Sequence, residues 1–568
     1  MIALLLWGCT STPPAEPTPQ RVPPPPAKSD AIYFVLVDRF ADGTPDAPGT
    51  IDKSDPQAFH GGDVQGVLDH LDHIQGMGFG AVWLSPITAM RTEKIDEWGA
   101  FHGYWVSDLG AAEPRFGTLE QAKTLSAELK KRDMDLYLDM VFNHVGYDTL
   151  LVKQHPDWFH GLGDVKDWND DVQVRTHDVH GLPDLAQEKP EVYKHLLRQS
   201  THWIREVEPT GFRVDAVRHL GAGFLAGFGN DLKAVAGPDF QLLGEVFEGD
   251  PVKLARAHEN NKLSSVFDFP LHYAMRDVFC DEAHLGRIAS TFAQDRNYRD
   301  GALPLVTFLD NHDLPRIGDC DKAPQALAFL LTARGRPSIT YGTEIRLKGA
   351  EEPANRGDMR FGEKHPMEAE IRTWLGLRAS SEAARSGRAI IHELRKDWLL
   401  YSRQVDDEGL VVAVNHSAAS VGVDLSTLGE VRVEDAWFVD DITHYIRADP
   451  KRLAHQVAPG QVRIWRLSGA FAARDDSLST IEITATGLPA GETPLLVGVG
   501  PLGGWDPKSG FGGKWTGVGQ AQFTVRRPRG DVLAYKIVVR GPQFLWENRA
   551  DRYHLIQDST KLSLTWEH

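Results

Sequence analysis

Eight short runs of apolar residues recur along residues 31–344, and they limit strongly which fold the chain can adopt. The runs are residues 31–40, 80–86, 134–142, 211–217, 240–247, 264–270, 305–312 and 337–344. Each is rich in Val, Ile, Leu and Phe, as expected for strands buried on both faces of a parallel sheet. Helical patterns such as residues 118–132 separate most of them. Eight strand and helix pairs in about 350 residues predict a (β/α)8 barrel, whose functional site lies at the carboxyl ends of the strands.

Three further stretches predict domains beside this barrel, which we expect to span residues 29–387. Residues 145–187 follow the third predicted strand and are too long for an ordinary loop, so we expect a small inserted domain there. Residues 388–472 alternate apolar and polar positions, which predicts an antiparallel β domain. Residues 478–568 are also rich in strand patterns and predict a terminal β-sandwich. The chain is therefore expected to be multidomain.

Three carboxylic acids stand where predicted strands end. Asp215 lies in GFRVDAVRH (211–219), Glu245 in QLLGEVF (241–247) and Asp313 in VTFLDNHD (306–313). Because the carboxyl ends of barrel strands face one common site, these acids are expected to lie close together. Paired carboxyls suit cleavage of a glycosidic bond, in which one protonates the leaving oxygen and the other attacks the anomeric carbon. An isolated carboxylate is more often a solvated ion pair, but acids at three strand ends of one barrel favour a catalytic site.

Eight sequence motifs occur in one order along residues 31–387. They are GFGAVWLSP (78–86), HGYW (102–105), DMVFNH (139–144), LPDL (182–185), RVDAVRH (213–219), GEV (244–246), DNHD (310–313) and SITYGTE (338–344). Any one of them is weak alone, but their order and spacing resemble those of the α-amylase family, glycoside hydrolase family 13. The resemblance implies a catalytic barrel with residues 145–187 as the insert called domain B and residues 388–472 as domain C.

The resemblance also assigns roles to the acids. Asp215 would be the nucleophile, Glu245 the general acid and base, and Asp313 the carboxylate that stabilises the oxocarbenium-like transition state. Arg213 shares a strand face with Asp215, and it is expected to keep that carboxyl ionised through a charge-assisted hydrogen bond. Five more residues match sugar-binding positions of the family: His102, Tyr104, His144, Arg218 and His312.

A calcium ion is the cofactor that the resemblance implies. In this family a hard cation joins domain B to the barrel. The matching oxygen ligands are the side chains of Asn143 and Asp184 and the backbone carbonyl of His219, which are groups that Ca²⁺ prefers.

The last segment resembles a family 20 starch-binding module. It carries LGGWDP (502–507), YKIV (535–538) and WENR (546–549). The resemblance places Trp505 and Trp546 where that family stacks aromatic faces on sugar rings, and Lys536 and Asn548 where it adds hydrogen bonds. The alternative is that both tryptophans belong to the hydrophobic core.

The first 28 residues resemble an export signal followed by a linker. The apolar run MIALLLWGC (1–9) is far too short to span a membrane, which takes about 20 apolar residues, and it resembles a bacterial lipoprotein signal in which Cys9 is lipidated. It departs from that pattern because no Lys or Arg precedes the apolar stretch. The Pro-rich residues 10–28 are expected to form an extended spacer. We therefore expect an exported lipoprotein of the outer membrane or cell surface, and an ordinary secretory signal or a mis-assigned start is the alternative.

Charge and cysteine content add two constraints. The net charge of −18 argues against a nucleic-acid partner, whose binding requires a basic surface. Among the three cysteines, Cys280 and Cys320 follow neighbouring predicted strands. In an oxidising compartment they could form a disulfide, and the alternative is two separate buried thiols.

The resemblance implies an α-amylase, a retaining enzyme that acts on internal α-1,4-glucosidic bonds of starch, glycogen and maltooligosaccharides. We expect it to be a monomer. The alternatives are a cyclodextrin glucanotransferase or a maltogenic or cyclodextrin-degrading amylase, because the same acids serve all of them. Glucanotransferases usually carry an extra immunoglobulin-like domain, and the junction at residues 470–478 leaves no room for one. A surface glycan-binding lipoprotein with an inactive barrel is the non-enzyme alternative, which the presence of all three acids disfavours.

Overall fold

The computed structural model describes residues 29–298 and 305–567, and a closed parallel barrel forms its centre. The first ten strands are Ile32–Val35 (β1), Ala81–Leu84 (β2), Thr88–Met90 (β3), Val106–Ala112 (β4), Asp135–Met140 (β5), Gly211–Val214 (β6), Gln241–Gly244 (β7), Ser265–Phe267 (β8), Leu305–Phe308 (β9) and Arg336–Thr340 (β10). The barrel order is β1-β2-β5-β6-β7-β8-β9-β10, and β10 pairs with β1 to close it. Strands β3 and β4 form a separate antiparallel pair. Each predicted apolar run overlaps one barrel strand, and only β10 begins outside its run, by one residue, so the predicted barrel is confirmed.

Helices connect the barrel strands, and the last two helices follow the final barrel strand. They are Val64–Asp69 (α1), Leu71–Met77 (α2), Leu119–Lys131 (α3), Leu150–Gln154 (α4), Asp171–Thr176 (α5), Pro190–Val207 (α6), Phe224–Ala236 (α7), Pro251–Asn261 (α8), Phe269–Phe279 (α9), Gly286–Phe292 (α10), Ala323–Thr332 (α11), Pro366–Ser380 (α12) and Glu382–Ser386 (α13). Helix α3 corresponds to the predicted pattern at 118–132, and Thr118 and Gln121 form a capping box at its start. Within the two described ranges, we find no helix with the length and apolar character needed to cross a membrane.

Four of the eight barrel strands are buried along their whole length, as their unbroken apolar runs predict. Every residue of β1, β2, β6 and β9 is buried. Such strands contact side chains inside the barrel on one face and helices on the other, so they lack the alternation of a half-exposed strand. Charged residues inside or just after these strands therefore need partners within the protein.

Domain B leaves the barrel after β5 and returns before α6. It contains α4 and α5, and isolated β-bridges join His144 to Asp184 and Phe159 to Leu185. The backbone N–H of Leu185 also donates to the carbonyl of Asn143 over 2.8 Å. The end of the insert is thereby fixed against the carboxyl end of β5.

Two β domains follow the barrel. Their strands are Arg388–Arg395 (β11), Trp398–Val405 (β12), Glu408–Asn415 (β13), Val421–Asp424 (β14), Gly429–Val439 (β15), Thr443–Ile446 (β16), Ala454–Val457 (β17), Val462–Phe471 (β18), Leu478–Thr486 (β19), Thr493–Gly498 (β20), Phe511–Gly512 (β21), Lys514–Gly517 (β22), Gln520–Pro528 (β23), Val532–Arg540 (β24), Leu545–Trp546 (β25), Arg552–Leu555 (β26) and Thr560–Thr565 (β27). Domain C has a sheet ordered β11-β12-β13-β18-β15-β16 and the pair β14-β17. The last domain has one sheet ordered β22-β23-β19-β27 and a second built on β20 and β24. The predicted terminal β domains are confirmed, and their strands pair antiparallel except for β19 and β27, which are parallel.

The last domain packs directly on the barrel helices. A side chain at Gly286, the first residue of α10, would overlap the ring of Tyr553. Arg296 and Asp531 form an ion pair across the same contact, with Nη1 and Oδ2 2.9 Å apart. The domain is therefore docked on the barrel rather than joined to it by the chain alone.

The structure describes two of the three cysteines, Cys280 and Cys320. Cys280 and Cys320 form a disulfide with their Cα atoms 5.1 Å apart, which selects the bonded alternative. The disulfide links the end of α9 to the segment before α11. Cys9 lies outside the described residues, as does the rest of the predicted signal and linker.

Candidate active site

The three predicted acids lie at the carboxyl ends of barrel strands. Asp215 directly follows β6, Glu245 directly follows β7, and Asp313 lies in the loop after β9. Val214 and Gly244 are register partners in the pairing of β6 with β7. Asp215 and Glu245, the next residues of each chain segment, therefore stand side by side on one rim of the barrel.

Arg213 links these acids through one buried guanidinium. Its Nη1 lies 2.8 Å from Oδ1 of Asp215, and its Nη2 lies 2.7 Å from Oε1 of Glu245. A third carboxylate, that of Asp139 on β5, lies 2.9 Å from Nη1. Charge-assisted hydrogen bonds of this length fix the position of each carboxyl. The structure thus contains the expected bond from Arg213 to Asp215, and the same side chain also holds Glu245.

Asp139 is a member of the site that sequence reasoning missed. Its carboxylate accepts hydrogen bonds from the Tyr104 hydroxyl at 2.8 Å and the Trp83 indole at 3.1 Å. Burial raises the pKa of Asp139 to about 6, although Arg213 acts in the opposite direction. A signal was available, because a carboxylate inside the apolar run 134–142 must have a partner within the barrel.

Burial raises the pKa values of both Asp215 and Glu245. Loss of hydration raises each pKa to about 7, and Arg213 opposes the shift without cancelling it. Glu245 also accepts a hydrogen bond from the backbone N–H of Ala216 over 3.1 Å. Carboxyls that interact this closely titrate as a pair, so near neutral pH we expect them to share one proton. One ionised and one protonated carboxyl is the state that a glycosidase needs.

Asp313 has a different environment from the other two acids. Its side chain is 34% exposed, and its oxygens lie 3.1 Å from Nε2 of His312 and 3.1 Å from Nη2 of Arg356. Burial acts to raise the pKa of Asp313, but His312 and Arg356 outweigh it and lower the pKa. Asp313 is therefore ionised at neutral pH. Arg356 lies 43 residues further along the chain, and sequence reasoning did not identify it.

A cavity of about 700 Å³ opens beside the acids. Asp215 and Asp313 contribute to its wall together with Trp98, Tyr104, Tyr147 and His312. The rings of Tyr104 and His312 are parallel, with centroids 4.9 Å apart. Concave sites with aromatic walls and a few fixed polar groups suit a sugar, since a pyranose ring has apolar faces and hydroxyl edges. Trp98, which is 44% exposed, and Tyr147 were not identified from sequence.

The three predicted histidines all line this cavity. Burial lowers the pKa of His144 to about 4 and that of His312 to about 3, and it holds the pKa of His102 well below its usual value. All three imidazoles are therefore neutral near pH 7. A neutral imidazole has one donor and one acceptor nitrogen, so it can hydrogen-bond sugar hydroxyls.

Arg218 contacts domain B. Its Nη2 donates to the backbone carbonyl of Trp168 over 2.9 Å. The indole of Trp168 is 44% exposed and lies edge-on to the ring of His219, with centroids 5.9 Å apart. Arg218 thus ties the end of β6 to the insert, and its role at a sugar subsite stays a prediction.

Two of the predicted calcium ligands meet where domain B joins the barrel. The β-bridge between residues 144 and 184 places Asn143 close to Asp184. Oδ1 of Asn143 and Oδ1 of Asp184 are both buried, and neither has a hydrogen-bond partner in the structure. Buried oxygen atoms without partners cost free energy unless a ligand binds them. These oxygens therefore fit a hard cation such as Ca²⁺.

Gln187 brings the third predicted ligand to the same junction. Its Nε2 donates to the carbonyl of Asn143 over 3.4 Å, and its Oε1 accepts from the N–H of Gly221 over 3.1 Å. Gly221 lies two residues after His219, whose backbone carbonyl was the predicted ligand. The segment carrying His219 is therefore held beside Asn143.

The residues predicted to bind starch have different surroundings in the last domain. Trp546 on β25 is 41% exposed, whereas Trp505 is half-buried and lines a cavity facing the barrel. Nζ of Lys536 lies 3.8 Å from Asp551, and the N–H of Asn548 donates to a backbone carbonyl on the last strand segment. Neither tryptophan is fully buried, so the alternative in which both are core residues is not what the structure shows.

Comparison with known sequences identifies the barrel. Residues 34–374 match the family model described as the α-amylase catalytic domain. A beta/alpha-amylase from Paenibacillus polymyxa is 31% identical over 413 residues, which cover 68% of this chain and 33% of that protein. The chain therefore spans about a third of the length of this relative.

Solved structures share the fold. An α-amylase from Geobacillus thermoleovorans, in complex with acarbose, is 32% identical with a TM-score of 0.68, and the match covers 78% of this chain and 99% of that chain. CldA, a cyclomaltodextrin glucanotransferase described as having a three-domain ABC distribution, is 26% identical with a TM-score of 0.68 and the same coverage. The family model, these similarities and the closed barrel with acids at its strand ends agree. The chain belongs to the α-amylase family, glycoside hydrolase family 13.

Proposed function

We propose that the protein is an α-amylase that cleaves internal α-1,4-glucosidic bonds of starch, glycogen and maltooligosaccharides with retention of configuration. The observation that carries this proposal is the guanidinium of Arg213, which holds Asp215 and Glu245 side by side on adjacent strands. Retaining glycosidases need two carboxyls about 5–5.5 Å apart, whereas inverting enzymes keep them further apart to admit water. Two acids bound to one guanidinium favour the retaining arrangement.

The proposed mechanism assigns one step to each acid. Glu245 donates its proton to the glycosidic oxygen while Asp215 attacks the anomeric carbon, which gives a glycosyl-enzyme intermediate and a free chain end. Glu245, now ionised, then takes a proton from the water molecule that hydrolyses the intermediate. Asp313, ionised beside His312 and Arg356, stabilises the positive charge that develops on the sugar ring.

A cyclodextrin glucanotransferase is the second candidate, because the same acids would transfer the glycosyl group to a sugar hydroxyl. The short junction between β18 and β19, which leaves no room for an immunoglobulin-like domain there, does not separate the two candidates, since CldA is described as a glucanotransferase with a three-domain ABC distribution. The two activities differ in whether water or a sugar hydroxyl attacks the glycosyl-enzyme intermediate.

The product profile on soluble starch tests this proposal. Full-length protein should release linear maltooligosaccharides of falling length over time, seen by anion-exchange chromatography. The α-configuration of new reducing ends should be visible by proton NMR before mutarotation. Cyclodextrins as the main early product would instead establish the transferase, and β-configured ends would exclude the retaining mechanism.

We propose that Ca²⁺ binds at the junction of domain B and the barrel. Two observations support this proposal. The Oδ1 atoms of Asn143 and Asp184 are buried without a hydrogen-bond partner. All three proposed ligands are oxygen atoms, which Ca²⁺ prefers. When bound, the ion would supply an electrostatic link between the insert and β5. It would thereby hold His144, next to Asn143, in the wall of the sugar cavity.

Removal of Ca²⁺ is expected to lower the melting temperature and then the activity. A ligand that binds only the folded state stabilises it by mass action, by about 2.7 kcal/mol when its concentration is 100 times its Kd. The measurement is a thermal melt after dialysis against chelator, with and without added Ca²⁺. Asp184→Asn is the matched variant, and its melt should respond less to Ca²⁺. Identical wild-type melts in chelator and in Ca²⁺ would contradict the site.

We propose further that the last domain binds starch, as its resemblance to family 20 modules implies. Trp546 supports this proposal because a large indole that is 41% exposed offers a flat apolar face to a glucose ring.

Trp546→Ala is expected to weaken adsorption to granular starch by at least about threefold, because the indole provides a large contact area. The rate on short soluble maltooligosaccharides should not change. The neighbouring Leu545, 43% exposed, provides the matched control Leu545→Ala, since it removes a similarly exposed apolar side chain without a flat face. Adsorption isotherms and thermal melts are measured together. Equal adsorption by wild type and Trp546→Ala would refute the role of Trp546.

A further inference from the structure

A second cavity, of about 360 Å³, lies between the last domain and the barrel helices. The barrel contributes Glu248, Asp250 and Tyr273, and the last domain contributes Trp505, Asp551 and Tyr553. The barrel residues belong to the segment after β7 and to α9. Neither domain alone would enclose this space.

Close contacts fix the two walls of the cavity against each other. A Cβ atom at Gly504 would lie 2.4 Å from Oδ2 of Asp250, so the two domains approach closely at this point. The next residue, Trp505, has a φ of +64°, which is a costly left-handed conformation for a bulky residue. Such a conformation persists only where the surrounding structure holds it. The backbone of Trp505, whose N–H donates to the carbonyl of Gly498 over 3.2 Å, is therefore held at the wall of this cavity.

The side chains around the cavity have the chemistry of a sugar site. Trp505, Tyr273 and Tyr553 supply aromatic rings, and carboxylates such as those of Glu248 and Asp551 can accept hydrogen bonds from hydroxyls. Tyr553 already bonds to Asp551 over 3.4 Å, which orients this carboxylate. The carboxylates of Glu248, Asp250 and Asp551 line the cavity together with the cations of Lys253 and Arg287, and Arg287 is paired with Asp277 over 2.5 Å. Positive charge is therefore not in excess, so nothing in the lining selects an anion such as phosphate over a neutral sugar.

The cavity lies close to the acid that cleaves the glycosidic bond. Glu248 is three residues after Glu245, so their Cα atoms are at most about 11 Å apart. Phe247, between them, is 41% exposed. The interdomain cavity therefore lies near the rim of the barrel that carries Glu245.

We propose that this interdomain cavity is a second binding site for α-glucan chains, built jointly by Trp505 from the last domain and Tyr273 from the barrel. Its size suits one or two glucose units of a longer chain. The proposal rests on the glucan substrate proposed above. It goes beyond a self-contained starch-binding module, because half of the site belongs to the catalytic barrel.

Isothermal titration with maltoheptaose tests the proposal in full-length protein carrying Glu245→Gln, which keeps the sugar intact. Four proteins are compared: this parent, and the parent with Trp505→Ala, with Tyr273→Ala, or with both. We expect each single variant to lose one binding event, or to bind at least about fivefold more weakly, and the double variant to lose no more than either. Gln557→Ala is the control, since Gln557 contacts domain C through the carbonyl of His392.

Each result has one meaning. Unchanged binding in both single variants overturns the proposal, and so does a loss with Trp505→Ala alone, which would assign the site to the last domain by itself. If Trp505→Ala lowers the melting temperature, Trp505→Leu carries the test, because leucine keeps apolar volume but has no flat face. The titration does not depend on hydrolysis. Wild-type protein that binds maltoheptaose in this cavity but does not cleave starch would refute the proposed activity and leave the site standing.

Discussion

Glu245→Gln and Asp215→Asn should each lower kcat on maltoheptaose by more than about a hundredfold, because each removes a group that supplies orders of magnitude in rate. An amide has nearly the volume of the carboxyl and can still accept a hydrogen bond from Arg213, so the fold should persist. The measurement is a steady-state rate beside a thermal melt. Glu208→Gln, at an exposed glutamate bonded to Lys130, is the matched control and should keep full activity. A variant that keeps more than about a hundredth of the wild-type rate would contradict its assigned role.

A substrate with a good leaving group separates the two roles. An aryl maltoside whose phenol needs no proton should still react with Asp215 in the Glu245→Gln variant, because the acid is dispensable for that bond. The glycosyl-enzyme should then accumulate and be visible by mass spectrometry. Asp215→Asn should form no such intermediate with any substrate. The reverse pattern would exchange the assignments of the two acids.

Arg213→Met is expected to lower the free energy of unfolding by about 3–5 kcal/mol near pH 8, because it leaves buried carboxyls without their cation. Asp139, Asp215 and Glu245 all bond to this one guanidinium. The measurement is urea denaturation at pH 5 and pH 8. Arg213→Lys is the matched control. It should lose less unfolding free energy, because lysine keeps the positive charge although its ammonium lacks the planar fork that binds two carboxylates.

The pH dependence of this loss follows from the direction of the pKa shifts. In the wild type, burial raises the pKa of Asp215 and of Glu245 to about 7 and that of Asp139 to about 6, above the values in the unfolded chain. The folded state therefore binds more protons, so stability falls as the pH rises from about 4 through about 7. Without Arg213 the pKa values rise further, and the fall should continue beyond pH 7. An equal loss at pH 5 and pH 8 would show that the guanidinium acts through packing alone.

The barrel and its acids could be predicted from sequence because strands buried on both faces leave an unbroken apolar run. A charged residue at the end of such a run therefore indicates a functional site. Asp139 could have been found by the same reasoning, since it interrupts the run at 134–142. Its partner Arg213 was identified only as a neighbour of Asp215.

Arg356 and the interdomain cavity could not be predicted in this way. Arg356 reaches Asp313 from a short turn at Ala354–Arg356, and no local pattern marks that turn as part of the site. Trp505 was identified by its motif, but its contact with the barrel depends on how two domains pack. The pairing of Cys280 with Cys320 likewise depends on the distance between two loops, which spacing along the chain does not give.

The firm docking of the last domain has a consequence for movement on an insoluble substrate. Residues 472–477 connect β18 to β19, and the last domain also contacts the barrel through Tyr553 against Gly286 and through the ion pair of Arg296 and Asp531. An enzyme on a flexible tether can search a surface while its anchor stays in place. With the last domain docked in this way and bound to starch as proposed above, the barrel would face the granule in one orientation. It would reach new chains only by releasing and rebinding, so adsorption that is too tight would slow degradation.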